Sequence, residues 1–308
     1  MKPIHCLILF LSSFAQAQNA SYQQPSLLSA GHGLSSTAHI ESVETPISRF
    51  KRQAIQQITF SAGCLDAINS NDLSSRFVEA SIGLGVPLGS FDNILGVTPS
   101  FRADFIDAAP RVDIPSELFE TGLSFFYRKP IHDRLNAMAI VRPSIRSDFT
   151  TSNRALRVFG LGLLTWDYDP EVLSLSFGAV YLDRADLPLL PAAGLTWTPR
   201  PTMKLDLRFP ESKLAWRLDK NGAQSETWSY LTAGIGGNTW AVTRNSGLTD
   251  ELSLRDIRVI LGIDHVTDGG GGWFAECGYA FNRRIEYEAT ATEISLSDGV
   301  ILQAGWRY

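Results

Sequence analysis

Proton-transfer chemistry needs a histidine or a perturbed carboxyl within hydrogen-bond reach of a nucleophile. Past its first few residues the chain offers His32, His39, His132 and His265. His32 and His39 stand isolated in a stretch rich in Ser, Gln, Ala and Gly, with no thiol or carboxylate at a familiar metal-ligand spacing. His132 falls in a turn beside Pro130. Asp264 and His265 are adjacent, and adjacent residues on a strand point to opposite faces. No Gly-x-Ser-x-Gly elbow is present. Asp268-Gly269-Gly270-Gly271-Gly272 has the glycines of a phosphate cradle, but a strand pattern follows where a cradle needs a helix, so it reads as a hairpin turn. No catalytic residue, cofactor or metal is expected, and the chain reads as a non-enzyme.

The remaining chemistry is charge. Lys plus Arg is 27 and Asp plus Glu is 32, a net charge of -5, and charged residues are 19% of the chain. That excludes a basic nucleic-acid binder, and 10% aromatics exclude a disordered chain. Three cysteines in 308 residues exclude a disulfide scaffold. Past the N-terminus no apolar run reaches the length of a membrane helix.

The charges sit in alternation with apolar residues. Met203, Leu205, Leu207 and Phe209 interleave with Lys204, Asp206 and Arg208. Ile257, Val259, Leu261 and Ile263 interleave with Asp256, Arg258 and Asp264, and Trp273, Ala275, Cys277, Tyr279 and Phe281 with Glu276, Asn282 and Arg284. Period two is a strand with two unlike faces. Turn residues punctuate these runs at Leu88-Gly89-Ser90, Lys129-Pro130, Asp169-Pro170, Pro199-Arg200-Pro201 and Asn221-Gly222. Strands are expected near 57–66, 75–88, 94–106, 117–128, 135–148, 155–168, 171–183, 189–199, 253–266, 272–288 and 298–308, with 202–219 and 226–244 each one strand or two. The apolar face is odd-numbered at Phe209 but even-numbered at Leu214, Trp216 and Leu218, so a break belongs at Pro210-Glu211-Ser212. The even phase is read onward from Trp228 through Trp240 and Val242, keeping 226–244 whole. The fold class expected is all-β, a closed antiparallel transmembrane β-barrel of about 14 strands, with 12 as runner-up, since single-chain barrels have an even strand number.

Compartment comes from the N-terminus. Lys2, the apolar Leu7-Ile8-Leu9-Phe10-Leu11 and Ala15-Gln16-Ala17 read as a cleaved signal peptide over 1–17. Residues 18–56 read as a short irregular periplasmic arm or plug, and 57–308 as the outer-membrane barrel. Candidate membrane-interface aromatics are Trp166 and Tyr168, Trp228 and Tyr230, Trp273, and Trp306 with the terminal Tyr308, most of them in pairs two apart near strand ends. Charge at mid-bilayer costs about 2–4 kcal/mol, so the apolar face is assigned to lipid and the charged face to the lumen. Candidate lumen-lining residues are Arg102, Asp104, Glu120, Arg142, Arg146, Arg157, Asp206, Arg208, Asp256, Arg258, Glu276 and Arg284. Cys64 and Cys277 fall on the lipid-facing phase of non-adjacent strands and are expected to be free thiols.

The chain also resembles an uncharacterised bacterial outer-membrane β-barrel family, a domain of unknown function. The resemblance is carried by Ala193-Gly194-Leu195-Thr196-Trp197-Thr198-Pro199, Phe209-Pro210, Ala215-Trp216-Arg217-Leu218, Arg255-Asp256, Ile260-Leu261-Gly262, the run Glu276 to Tyr287, and Ala304-Gly305-Trp306. It spans roughly the last 120 residues of the chain and implies an outer-membrane barrel with no known substrate or catalytic residue. Cys277 stands where an aliphatic residue is expected in relatives.

The functional expectation is a passive channel for small solutes through a charge-balanced lumen. The alternative is a non-conducting structural or binding barrel, and an outer-membrane hydrolase ranks last. Expected partners are outer-membrane lipid, lipopolysaccharide and, through the C-terminal strand, the outer-membrane assembly machinery. No nucleic acid is expected, and the sequence assigns no oligomeric state.

Overall fold

The computed structural model describes residues 47, 51, 53–68, 72–88, 94–181, 189–208 and 211–308. The expected signal segment, nearly all of the expected arm, His32 and His39 lie outside the described residues.

Among the described residues the regular elements are strands, apart from one 3-10 turn at Pro110–Val112. The strands are β1 (Ile55–Ala67), β2 (Leu73–Pro87), β3 (Ile94–Ala108), β4 (Glu117–His132), β5 (Leu135–Ser147), β6 (Leu156–Asp169), β7 (Leu173–Tyr181) and β8 (Leu189–Arg200). They continue as β9 (Met203–Arg208), β10 (Glu211–Asn221), β11 (Ser225–Gly236), β12 (Thr239–Thr243), β13 (Thr249–Thr267), β14 (Gly272–Tyr287), β15 (Thr292–Ser295) and β16 (Gly299–Arg307). Fourteen of them close an antiparallel ring, in which β1 to β11 run in order, followed by β13, β14 and β16. The ring shuts where β16 pairs with β1, Trp306 opposite Phe60 and Leu302 opposite Cys64. The Tyr308 amide donates to the Ile58 carbonyl at 2.9 Å. Closure leaves the fourteen-stranded ring without an edge.

Both chain ends of the barrel, Ile55 and Tyr308, lie at one rim with short turns such as Asp133-Arg134 and Pro201-Thr202. We call this the terminal rim. The opposite, far rim carries the longer connections.

Alternation positions the side chains. On β13, Val259, Leu261 and Ile263 are exposed on the outer face while Asp256, Gly262 and Asp264 are buried inside. The expected change of phase between Arg208 and Glu211 occurs, with Leu207 pointing out on β9 and Leu218 on β10. The expected single strand over 226–244 does not form. Gly237 adopts φ +101, and a Cβ there would lie 2.0 Å from the Leu254 carbonyl oxygen, so the chain turns out of the wall and β12 leaves the ring.

Candidate functional site: a barrel interior divided by a strap

β12 pairs with the first residues of β13, Thr239 opposite Ser253 and Thr243 opposite Thr249. Its other edge makes a parallel bridge to β5, Ala241 opposite Ser147. β13 and β5 are seven strands apart in either direction around the ring, so β12 lies on a chord across the far mouth. Three breaks align where this unit leaves the wall: Gly237, the bulge between Arg255 and Ile257 on β13, and Asn282 on β14, at φ +52. Two β14 residues, Asn282 and Arg283, oppose the single residue Asp256 at that bulge, which bends the strand. β12, the far ends of β13 and β14, and β15 thus form a four-stranded strap across the mouth.

The strap has two unlike faces. One carries Trp240, Val242, Leu252, Ile285 and Tyr287, buried in one apolar cluster with Leu73 of β2, Leu118 of β4, and Val112, Ile114 and Leu296. The Tyr287 hydroxyl donates to the Val112 carbonyl at 2.5 Å. This cluster seals the half of the mouth bounded by β14, β16 and β1 to β4. At roughly 1.5 kcal/mol per buried apolar side chain, lifting the strap off would cost on the order of 10 kcal/mol, as much as a whole domain's stability. The cluster therefore closes that half of the mouth.

The other face is polar and looks across to β6. Glu251 is held at 2.7 Å by Arg154 and also by Arg157. Arg154 reaches Glu288 at 3.7 Å. At the strap's edge, the Asp148 carboxylate accepts the Thr243 amide at 2.7 Å, and the Thr150 and Thr243 hydroxyls meet at 2.8 Å. Asp113 accepts from Arg244 at 2.8 Å and from the Ser246 amide and hydroxyl. Burial raises the Asp148 carboxyl, but the donors of Thr243, Thr150 and Thr151 outweigh it and hold the group below the ordinary range. Burial likewise opposes ionisation of Asp113, and Ser246 and Arg244 reverse it to the same net direction.

Below the strap the lumen is a dense polar layer. Glu120 is buried between Arg142 at 2.6 Å and Arg146 at 3.1 Å, and Asn238, at the strap's hinge, donates to it at 3.4 Å. Arg102 pairs with Asp104 at 2.7 Å and Glu79 at 3.6 Å, Arg258 with Asp256 at 2.6 Å, and Arg208 with Asp206. The expected lumen residues from Arg102 to Glu276 all point inward. Arg284 does not join them. The extra residue at Asn282 shifts the phase, so Arg283 is buried in its place, donating to the Ser297 and Leu73 carbonyls. Arg284 sits on the strap face opposite Ile285, paired with Glu286 at 3.5 Å and Glu293 at 3.3 Å.

The interior is also less polar than expected. Ile140, Phe159, Leu161, Leu163 and Val180 form a buried apolar cluster on the inner faces of β5 to β7. β6 is apolar on both faces, because Leu164 and Trp166 are exposed outside.

Near the terminal rim the aromatic expectations divide. Trp166, Tyr168, Trp273, Trp306 and Tyr308 are exposed on the outer face at that rim. Trp228 and Tyr230 are turned inward, against the expectation. Their cross-strand partners are Arg217 and Ala215, whereas outward Trp216 opposes Ser229 and outward Leu214 opposes Leu231. Tyr230 is 4% exposed, its hydroxyl donates to Glu276 at 2.5 Å, and the Lys213 ammonium lies 3.7 Å from its ring centre. Tyr230 rests on Gly262, where a Cβ would lie 2.2 Å from the ring. The Trp228 indole donates to Glu226 at 2.8 Å.

Asp264 points inward to Arg307 at 2.8 Å, while His265 is part of the outer face, stacked on Trp273 at 5.8 Å between ring centres. The geometry does not bring this adjacent pair together. Cys64 and Cys277 are free, on β1 and β14, with β16 between them. Among the described residues no group of three His, Cys, Asp or Glu side chains is placed to hold a metal.

Sequence reasoning missed the inward role of Trp240 and the strap itself, and it put Tyr230 on the wrong face. The signal that could have found the strap is Gly236-Gly237-Asn238, a turn sequence inside an apparently continuous strand.

A comparison with curated proteins finds no match. A family model described as "Domain of unknown function (DUF6268)" matches residues 107–291, reaching upstream of the segment that carries the sequence resemblance. Because that match covers more than half of the chain, including β12 and the strap ends of β13 and β14, the chain belongs to the DUF6268 family.

Proposed function

We propose that the protein is an outer-membrane β-barrel that is closed at rest, with solute passage only on opening. The observation that carries this reading is the strap, bridging β13 to β5 across the far mouth. Glu120, buried against Arg142 and Arg146 of the neighbouring strand, also accepts from Asn238 at the strap's hinge. The reading takes the non-conducting alternative for the resting state and keeps the charge-balanced channel for the open one.

The membrane placement rests on the closed wall, the exposed outer apolar residues such as Phe60, Leu261 and Leu302, and the outer aromatics at the terminal rim. On this reading, together with the expected N-terminal signal, the short turns face the periplasm and the strap faces outwards. Lipid and lipopolysaccharide then cover the wall, and β16 is the segment presented to the assembly machinery.

The test is planar-bilayer recording of the purified protein. The expected result is long silent periods with rare steps. Steady unitary conductance in every insertion would overturn the closed resting state. Recovery of the protein in the soluble periplasmic fraction would overturn the membrane placement.

A further inference from the structure

Most charged side chains of the lumen hold one another. On the wall from β9 round to β16, Arg208 is bound to Asp206, Arg258 to Asp256, Arg307 to Asp264, and both Arg217 and Lys220 to Glu226. Glu276 takes the hydroxyl of Tyr230. Two charges of β10 stand apart from this pattern. Glu211 and Lys213 lie two residues apart on the inward phase of that strand, away from Leu214 and Leu218, and both are half-buried. Among the described residues neither forms an ion pair or a side-chain hydrogen bond.

Register explains the exception. Glu211 opposes Gly234 on β11, which has no side chain to meet it. Lys213 opposes Thr232 on one side and Asp206 on the other, and Asp206 is already taken by Arg208. The Lys213 ammonium instead lies 3.7 Å from the centre of the Tyr230 ring, so its free side faces the lumen. β10 stands seven strands from β3, directly across the ring. The inner side chains there and on the strands beside it, towards the terminal rim, include Ser81, Thr98 and Ser124, all small and none of them buried. Fourteen strands enclose more width than side chains of that size can span, which leaves room in front of β10 for a small solute entering from the terminal rim.

We propose that Glu211 and Lys213 bind a small zwitterion, of the class of a free α-amino acid, inside the barrel. The solute's ammonium meets Glu211 and its carboxylate meets Lys213, with the Tyr230 ring behind the lysine. A simple anion gains Lys213 but is repelled by Glu211, and a simple cation meets the reverse. A molecule that carries both signs close together satisfies the pair. Each half-buried charge then gains a charge-assisted hydrogen bond that its neighbours do not supply. Binding of this kind needs only the ring and its interior, whether or not the far mouth ever opens.

The experiment is equilibrium dialysis of the purified, detergent-solubilised protein against radiolabelled L-alanine near neutral pH, with acetate and ethylammonium as single-charge competitors. Saturable binding is expected, displaced by unlabelled L-glutamine and by neither single-charge competitor at the same concentration. E211Q and K213M are each expected to weaken binding about ten-fold or more, the loss of one charge-assisted hydrogen bond. E288Q, at the far rim, should leave it unchanged. Heat-modifiable gel mobility establishes that each barrel is folded, and the competition on wild type carries the test should either variant fail to fold.

Folded wild type with no saturable binding overturns the proposal. Binding that survives unchanged in both folded variants also overturns it, because the solute would then sit elsewhere. Displacement by acetate as strong as by glutamine, with E211Q no weaker than wild type, overturns the zwitterion and leaves an anion on Lys213 alone. None of these outcomes touches the closed resting state, which bilayer recording tests separately.

Discussion

Ala241 pairs with Ser147 across the far mouth, joining β12, and through it β13, to a strand seven places away around the ring. Antiparallel neighbours build the wall, and this parallel bridge is what divides the far mouth in two. Its strength lies in the polar contacts around Asp148 and the apolar cluster on the strap's other side.

Asp148 is the strap's clasp, so D148N should loosen it locally. Neutralising the carboxylate weakens charge-assisted bonds from the Thr243 and Thr150 amides, each worth about 1.5–3 kcal/mol. Hydrogen exchange at those two amides should accelerate about ten-fold or more at neutral pH, with β1 to β3 unchanged. Unaltered exchange at Thr243 would remove Asp148 from this role.

Acid should loosen the same clasp in the wild type. Asp148 and Asp113 are both held below the ordinary carboxylate range, so each stabilises the folded strap at neutral pH. That stabilisation is lost as pH falls through and below the ordinary carboxylate range, where the folded groups finally protonate. The thermal midpoint should therefore fall with acid, and D113N/D148N should flatten that slope. A double variant with the wild-type pH slope would contradict the assignment.

Tyr230 and Gly262 form a contact that admits no methyl group. G262A should destabilise the barrel by roughly 1–3 kcal/mol, because the ring beside it has Glu276 and Lys213 to hold it in place. Y230A should cost about 3–5 kcal/mol alone and relieve most of the G262A defect in the double variant. Strictly additive losses in urea unfolding would refute the contact.

Inward and outward tryptophans are separable by fluorescence. In single-tryptophan variants reconstituted with brominated lipid, Trp166, Trp273 and Trp306 should be strongly quenched. Trp228 and Trp240 should keep most of their emission, since one bonds Glu226 inside the wall and the other is buried under the strap. Equal quenching of Trp228 and Trp306 would restore the outward placement of Trp228.

The thiols offer an independent check of the outer face. Cys64 and Cys277 both oppose Leu302 on β16, one on each side. Membrane-partitioning maleimides should label both, and a membrane-impermeant reagent should label neither in the folded protein. A disulfide between them under native conditions would contradict the register.

The sequence by itself determined the period-two alternation, the phase break near Pro210-Glu211-Ser212 and the outward phase of Cys64 and Cys277, while the count of 14 strands also drew on the even number that a closed barrel requires. Each is local, because a strand's side-chain direction follows from counting by two. Inside and outside needed the tertiary structure wherever both faces of a strand were plausible lipid faces. β6 carries Phe159, Leu161 and Leu163 on one face and Leu164 and Trp166 on the other, and only the neighbouring strands decide which set is enclosed. β11 is the same problem with the opposite outcome for aromatics, since Tyr230 follows Ala215 inward while Leu231 follows Leu214 outward. The strap was beyond local reading altogether. Its bridge from Ala241 to Ser147 joins segments 94 residues apart, as does the pair of Arg157 with Glu251. Such contacts exist only once ring closure brings opposite walls to face each other, and alternation along a single strand carries no information about what lies across the lumen.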